Sequence, residues 1–214
     1  GAMARARRSQ NPPWRIAWEP VNVKPPMADL RTDLAVRILC DQIPPGSLDA
    51  AYLFGQTLDN EHSVFQSAER IFHDGLANHI LFSASEPRSG YPGFGPWWNA
   101  LRQIGIPEEV LLGVPAAPTE ENGELMLHTL NEAVALVRFC KDRGFARVGV
   151  VSSAFHSLRA FLSTVSAASL ENRGLRVYCL APAMLPWYEE VVHSQGKERG
   201  TRFALIQSEL ERIA

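Results

Sequence analysis

Short apolar runs of strand length alternate with helix-like patterns along most of the chain, and this alternation restricts the fold more than any other feature. Amphipathic segments, in which apolar residues recur three or four positions apart, separate the runs and predict helices. Strands that alternate with helices are typical of right-handed βαβ units. We therefore expect an α/β fold with a mainly parallel sheet of about five strands. The predicted strands are 50–54, 79–83, 110–114, 148–151 and 177–180.

The two ends of the chain differ from this central pattern. Residues 1–26 are rich in Arg, Pro and Trp without a sustained period, and they predict an extended N-terminal arm. Residues 27–214 are expected to form a single α/β domain, because neither an internal repeat nor a second domain is visible. A helical pattern over 29–40 opens this domain, and helices are predicted near 185–193 and over 199–213.

Composition restricts the partners and the compartment. The 214 residues carry 21 Lys and Arg against 23 Asp and Glu, a formal net charge of -2, so no general attraction to nucleic acid is expected. Cys40, Cys140 and Cys179 form no close pair and are expected to be buried free thiols in a reducing compartment. No run approaches the ~18 apolar residues that span a bilayer, and no signal peptide is visible. We therefore expect a cytoplasmic protein without a membrane anchor.

The most informative segment follows the fourth predicted strand and reads SSAFHSLR from Ser152 to Arg159. It lies at a junction between a strand and a helix, where ligands bind in open parallel sheets. The start of a helix offers free N–H groups and the positive end of its dipole, to which Ser152 and Ser153 add hydroxyls. His156 and Arg159 are one turn apart and suit a phosphate or carboxylate, with His156 as an acid or base. The alternative is an ordinary serine cap followed by a surface histidine and a solvated arginine.

Polar residues also follow the first and second predicted strands. Gly55 lets the backbone approach a ligand closely, and Gln56 and Thr57 supply polar atoms. Ser83 ends the second strand in the same way. Because ligands of such sheets bind at the carboxyl ends of the strands, these residues are candidates for the same site.

Two further features each have a functional and a structural interpretation. Arg70, on the first predicted helix between strands, either reaches over the sheet edge to a ligand or pairs with Asp74 one turn later. The stretch 87–98 is rich in Gly, Pro and aromatic residues and ends in Trp97 and Trp98. It is either a lid that stacks on a planar group or a packed surface loop.

The helix predicted after the third strand has a local start signal. Thr129 and Glu132 have the T-x-x-E spacing of a capping box, in which both side chains satisfy free backbone groups, and Gly144 is placed for the C-terminal cap. Asn131 lies between them and can face a ligand instead. The six histidines form no H-x-x-x-H or H-E-x-x-H arrangement, so no metal site is predicted.

Taken in order, six segments resemble the family known as domain of unknown function 218, which includes the YdcF, SanA and ElyC proteins. The likeness covers about 49–182, and its most specific part, 151–160, matches a strand followed by T/S-S-x-x-H-x-x-R-A. The order and spacing of all six segments carry the resemblance. The segments are 49–55 (DAAYLFG), Arg70, Ser83, Gly105-Ile106-Pro107, 129–133 (TLNEA) and 151–160 (VSSAFHSLRA).

The resemblance implies a Rossmann-like α/β domain, a three-layer sandwich whose polar residues gather at one edge of the sheet. Members of the family have been linked to S-adenosylmethionine, which makes this compound a candidate cofactor, and in membrane-anchored cases to envelope metabolism. On this basis His156 and Glu132 are the candidate catalytic residues. The candidate ligand-binding residues are Gly55, Gln56, Arg70, Ser83, Thr129, Asn131, Ser152, Ser153 and Arg159.

Three functions are open at this point. The first is binding of a phosphorylated or nucleotide-like small molecule, with phosphoester or pyrophosphate hydrolysis as the concrete reaction. The second is binding of S-adenosylmethionine or another adenosine ligand, with an aromatic residue of 87–98 on the base and Glu132 or Glu86 on the ribose hydroxyls. The third is a non-catalytic regulatory protein whose arm binds a partner through Trp14 and Trp18.

Overall fold

The computed structural model describes residues 37–38, 43, 46–115, 119–121, 124–126, 128–193 and 198–212. The predicted N-terminal arm, Cys40 and most of the helix predicted over 29–40 lie outside these residues. The strands are β1 (Ala50–Leu53), β2 (Ile80–Ser83), β3 (Leu111–Val114), β4 (Thr119–Glu121), β5 (Glu124–Met126), β6 (Arg147–Val151), β7 (Arg176–Cys179), β8 (Glu190–His193) and β9 (Glu198–Thr201). The helices are α1 (Leu58–His73), α2 (Phe94–Gln103), α3 (Thr129–Arg143), α4 (Ser157–Glu171) and α5 (Arg202–Glu211).

Five strands form one parallel sheet in the order β3-β2-β1-β6-β7, which confirms the predicted α/β fold. β1 lies at the centre, with Tyr52 in register with Leu81 of β2 and Val150 of β6. The chain builds β1, β2 and β3 in one direction and then crosses over to build β6 and β7 in the other. In sheets of this kind, ligands bind where the strand order reverses, which is here between the C-terminal ends of β1 and β6.

Helices cover both faces of the sheet, and alternate residues of β1 point to the two sides. Ala51 and Leu53 belong to the core that α1 and α2 complete. Ala50 and Tyr52 belong to the core that α3 and α4 complete. All four residues of β1 are buried, as expected for a strand covered on both faces. The result is the Rossmann-like three-layer sandwich that the sequence predicts.

The segment after the sheet differs from its prediction. The helix predicted near 185–193 is wrong, because Glu190–His193 form β8, which pairs antiparallel with β9. Val191 and His193 are buried whereas Glu190 is exposed, an alternation with the period of a strand. Adjacent β-branched residues also favour a strand over a helix.

The helix predicted over 199–213 is observed as α5, which begins at Arg202. Arg202 is 4% exposed and donates to the side-chain oxygen of Asn60 (2.9 Å) and to the backbone oxygen of Asp59 (2.7 Å). Both acceptors lie on α1, so these bonds attach the last helix to the helix that follows β1. We refer to the described residues from 190 onward as the C-terminal wall.

The aromatic stretch 87–98 packs against the rest of the domain. Trp97 is 1% exposed and donates from Nε1 to Glu61 (2.9 Å). The ring of Tyr91 lies 4.9 Å from that of Trp97, and the Tyr91 hydroxyl donates to the backbone oxygen of Ser83 (2.8 Å). The structure therefore favours the packed loop over the lid.

The C-terminal cap predicted at Gly144 is observed. Gly144 ends α3 with a φ of 69°, the left-handed conformation that favours glycine, and its N–H bonds back to Cys140 and Lys141. Cys140 is buried, as predicted, whereas Cys179 is only half-buried. Within the described residues, no helix has both the length and the apolar character needed to cross a membrane.

Candidate ligand-binding cleft

A cleft of about 660 Å³ lies where the strand order of the sheet reverses. Its volume falls in the range of small-molecule sites, roughly 300–1,000 Å³. Residues of the loops after β1 and β6, of α3 and α4, and of the C-terminal wall line it, and we refer to it as the strand-end cleft. The lining residues are Gly55, Gln56, Thr57, Ser89, Tyr91, His128, Thr129, Leu130, Glu132, His156, Arg159, Leu162, Ser163, Ser166, His193, Glu198 and Arg212.

Three helices begin at the strand-end cleft. The N-cap residues of α1, α3 and α4 are Thr57, His128 and His156, and all three line it. At these three starts, each within the described residues, no N-cap side chain accepts a hydrogen bond from a backbone N–H of its helix. The first N–H groups of a helix lack partners within the helix, and its dipole adds about half a positive charge there. Backbone groups around the cleft therefore favour an anion.

His156 is 5% exposed, and both of its ring nitrogens have polar neighbours. Nδ1 lies 3.4 Å from Nε2 of Gln56, a donor that also bonds to the Phe54 carbonyl (3.1 Å). Nδ1 therefore accepts, so the ring proton is on Nε2, which donates to the Thr129 hydroxyl (3.1 Å). Burial and the charge of Arg159 lower the pKa of His156 to about 3, so the ring is neutral at pH 7. In this state His156 orients the Thr129 hydroxyl.

One carboxylate oxygen of Glu132 accepts two hydrogen bonds, and the other accepts none from the described residues. Oε1 accepts hydrogen bonds from the Tyr52 hydroxyl and the Gly55 N–H, both at 2.8 Å, whereas Oε2 has no hydrogen bond to any described residue. Burial raises the pKa of Glu132 to about 7, although the bonds from Gly55 and Tyr52 and the charge of Arg159 act in the opposite direction. Glu132 can therefore hold or release a proton near neutral pH.

The capping box predicted from Thr129 and Glu132 is wrong. The N-cap of α3 is His128, one residue earlier than the box requires, and Thr129 is the first helical residue. With this offset, the Thr129 hydroxyl bonds to His156 and the Glu132 carboxylate bonds to groups of the β1 strand and its loop. The T-x-x-E spacing therefore places two side chains in the cleft and caps no helix.

The C-terminal wall brings charged side chains to Arg159. Arg159 donates from Nε and Nη2 to the two oxygens of Glu209, at 2.7 and 3.0 Å. Nε2 of His193 lies 2.8 Å from the same carboxylate, and Nη1 of Arg212 lies 3.7 Å from it. Burial alone raises the pKa of Glu209, but the hydrogen bonds from His193 and Arg159 lower it to about 2. Glu209 is therefore ionised at neutral pH.

The cleft contains six of the predicted site residues, and the other five lie elsewhere. Those in the cleft are Gly55, Gln56, Thr129, Glu132, His156 and Arg159. Of the others, Arg70 donates to the backbone oxygen of Ala181 (2.6 Å) rather than pairing with Asp74. Asn131 lies with Arg138 in a separate depression on α3.

The three remaining predicted residues are serines, and two of their hydroxyls bond to neighbouring serines. The hydroxyl of Ser83 lies 2.9 Å from that of Ser85, and the hydroxyl of Ser152 lies 3.4 Å from that of Ser157. The Ser153 hydroxyl is buried without a partner among the described residues, beside a small cavity outside the cleft. These serines shape the strand ends but do not line the strand-end cleft.

The contribution of the C-terminal wall is not apparent in the sequence. His193, Glu198 and Arg212 line the cleft, and Glu209 holds Arg159 from behind the lining. No motif or spacing marks these residues, and Arg159, the partner of Glu209 on α4, is 50 residues away from it. Among the described residues, no group of three or more His, Cys, Asp or Glu side chains could hold a metal ion.

Comparison of the chain with protein-family models gives no match, and comparison with curated proteins gives none either. The resemblance to domain of unknown function 218 therefore stays a prediction. A proposal for the function of the protein is therefore based on the geometry of the strand-end cleft.

Proposed function

We propose that the strand-end cleft binds a small phosphorylated or nucleotide-like molecule through its anionic group, and that it hydrolyses a phosphoester or pyrophosphate bond. The observation that carries this proposal is the meeting of three helix starts, without side-chain caps among the described residues, around one cleft. Free backbone N–H groups and helix dipoles together make such places favourable for phosphate.

The charged side chains supply less of the attraction than the backbone does. Arg159 is paired with Glu209, and Arg212 with Glu198, so each guanidinium has a carboxylate beside it. An ionised Glu132 would add a further negative charge to the cleft. An anion is therefore held best when Glu132 is protonated, and its affinity falls as the pH rises through about 7.

Protonated Glu132 also supports the proposed reaction. Its Oε2, which has no hydrogen bond to a described residue, donates a proton to the leaving oxygen as water forms a bond to phosphorus and the bond to the leaving oxygen breaks. The attacking water releases a proton to solvent, and Glu132 regains its own from solvent. The Thr129 hydroxyl, which accepts from His156, donates to a phosphoryl oxygen. This assignment makes Glu132 the acid and gives His156 an orienting role.

The adenosine-ligand alternative lacks comparable support. Trp97 is 1% exposed within the core, and Trp98 packs on the rings of Phe82 and Phe94. Of the aromatic residues in 87–98, Tyr91 lines the cleft but is 3% exposed. A base therefore finds little aromatic surface to stack on. The regulatory alternative depends on Trp14 and Trp18, which lie outside the described residues.

Thermal shift and calorimetry with inorganic phosphate, pyrophosphate, adenosine and S-adenosylmethionine test the proposal. Pyrophosphate at 100 times its dissociation constant at pH 6 is expected to stabilise the wild type by about 2.7 kcal/mol at that pH, and the same concentration is expected to stabilise it less at pH 8. Glu132→Gln is expected to remove that pH dependence, because the amide is neutral throughout.

A matched pair of arginine variants locates the site. Arg159→Gln is expected to lose part of the pyrophosphate effect, whereas Arg70→Gln retains all of it because Arg70 does not line the cleft. Stabilisation by adenosine but not by pyrophosphate, or equal losses in both variants, would contradict the proposal.

A further inference from the structure

Glu209 lies in the C-terminal wall and fixes the one guanidinium that α4 brings to the strand-end cleft. Its carboxylate accepts from Nε and Nη2 of Arg159, a two-bond arrangement that sets the plane of the guanidinium as well as its position. A single charge contact would leave the group free to rotate. Glu209 is 1% exposed, so water does not compete for these bonds.

The carboxylate is itself held from other sides. His193 donates to it at 2.8 Å, which orients the oxygen that also accepts from Arg159 Nη2. Arg212, the residue after α5, lies 3.7 Å from the same oxygen. Three elements, α4, β8 and α5, therefore meet at one carboxylate.

The bonds to Glu209 leave Nη1 of Arg159 without a hydrogen bond to any described residue. In this side-on arrangement Nη1 points away from the carboxylate, and Arg159 lines the cleft. Because Glu209 occupies Nε and Nη2, Nη1 is the donor of Arg159 that remains for a ligand.

We infer that Glu209 is a positioning residue for the anion site, acting through Arg159. The inference rests on the proposed function, since it assumes that an anion binds in the cleft. It adds a residue outside the region that resembles a known family, about 49–182, and outside the lining of the cleft.

The loss of charge and the loss of positioning are expected to change the anion affinity of Glu209→Gln in opposite directions. Loss of a negative charge next to Arg159 would by itself strengthen the binding of an anion. Loss of position would weaken it, because a glutamine side chain has one acceptor oxygen for the two Arg159 donors and turns its NH₂ group toward the other. The direction of the change in affinity therefore separates the two effects.

The experiment is calorimetric titration of the full chain with inorganic pyrophosphate. Glu209→Gln is expected to bind about tenfold more weakly than the wild type, the loss typical of one charge-assisted hydrogen bond. Glu209→Asp, which keeps the charge but withdraws it by one methylene, is also expected to bind more weakly. Glu211→Gln, on the same helix and exposed, is the matched control and is expected to leave the affinity unchanged.

A double variant tests whether Glu209 acts through Arg159. In an Arg159→Gln background, Glu209→Gln is expected not to weaken binding further, because the group that it positions is gone and only the loss of negative charge remains. Circular dichroism reports whether each variant is folded, and Glu209→Asp decides the question if Glu209→Gln does not fold.

The two proposals fail in different ways. Wild-type protein that binds neither phosphate nor pyrophosphate overturns the proposed function and this inference with it. Wild-type protein that binds pyrophosphate, with Glu209 variants that bind it equally well or more tightly, overturns the inference alone.

Discussion

Glu132, at the sheet side of the strand-end cleft, and Glu209, in the C-terminal wall, are both buried carboxyl groups, yet their environments act on them in opposite ways. Neutral donors, the Tyr52 hydroxyl and the Gly55 N–H, hold Glu132, and its pKa is raised to about 7. Arg159 and His193 hold Glu209, and its pKa is lowered to about 2. The charge of the partners, rather than burial alone, decides which carboxyl is ionised at neutral pH.

The largest expected effect is on the free energy of unfolding, which should change in opposite directions in Glu132→Gln and Glu209→Gln. The pKa of Glu132 is raised, so its contribution to stability is present below its ordinary value near 4.5 and is lost as the pH rises to about 7. A shift of this size corresponds to about 3 kcal/mol. At pH 8, Glu132→Gln is therefore expected to raise the free energy of unfolding by up to about 3 kcal/mol.

Glu209 behaves in the reverse manner. Because the pKa of Glu209 is lowered, this residue stabilises the fold above pH 4.5, and the stabilisation is lost as the pH falls to about 2. The stabilisation is again about 3 kcal/mol. Glu209→Gln is therefore expected to lower the free energy of unfolding by about this amount at pH 8. Urea unfolding of both variants at pH 5 and pH 8 measures the difference, and changes of the same sign would break the comparison.

A smaller effect is expected from detaching the C-terminal wall from α1. Arg202→Met removes the hydrogen bonds that Arg202 donates to the side-chain oxygen of Asn60 and to the carbonyls of Asp59 and Pro186. This loss should lower the free energy of unfolding by about 2 kcal/mol. Hydrogen exchange should show faster exchange in β8, β9 and α5 while the amides of the central sheet stay protected. Arg138→Met, which breaks an exposed pair with Glu171, serves as the control and should change neither quantity. Uniform loss of protection across the sheet would show that the two regions open together.

The smallest effect is expected at the start of α5. The Thr201 hydroxyl accepts from the Ala204 N–H at 3.2 Å, so Thr201→Ala should cost about 1 kcal/mol and increase exchange within the C-terminal wall. Thr201→Ser keeps the hydroxyl and should restore the wild-type value. If both variants are equally destabilised in thermal melts, the methyl group rather than the cap is responsible.

The sequence predicted the sheet side of the molecule well because its signals are local. Each sheet strand is a short apolar run, and each helix between strands has its own amphipathic period, so element type follows from neighbouring residues. The order of these elements then brings the ends of β1 and β6 together. His156, Arg159 and Gln56 were therefore accessible to sequence analysis as members of one site.

The C-terminal wall was not predictable in the same way. Adjacent β-branched residues favour a strand at β8, but the burial of Val191 and His193 depends on pairing with β9 and on packing against the rest of the domain. Glu209 has Arg159 as its partner across 50 residues, and Glu132 has Tyr52 across 80. The capping box predicted from Thr129 and Glu132 is wrong for a similar reason. The spacing of the two residues fits a cap, but their side chains make contacts with distant parts of the chain instead.

The position of the C-terminal wall along the chain has a consequence for biosynthesis. Chains are made from the N-terminus at roughly 5–20 residues per second, and domains begin to fold as they emerge. All five strands of the sheet, through Cys179, are complete before the residues from 190 onward are added. A nascent chain can thus hold the sheet and the three helix starts while Arg159 still lacks its carboxylate. The order of translation therefore makes the Arg159–Glu209 pair one of the later contacts of the cleft to form.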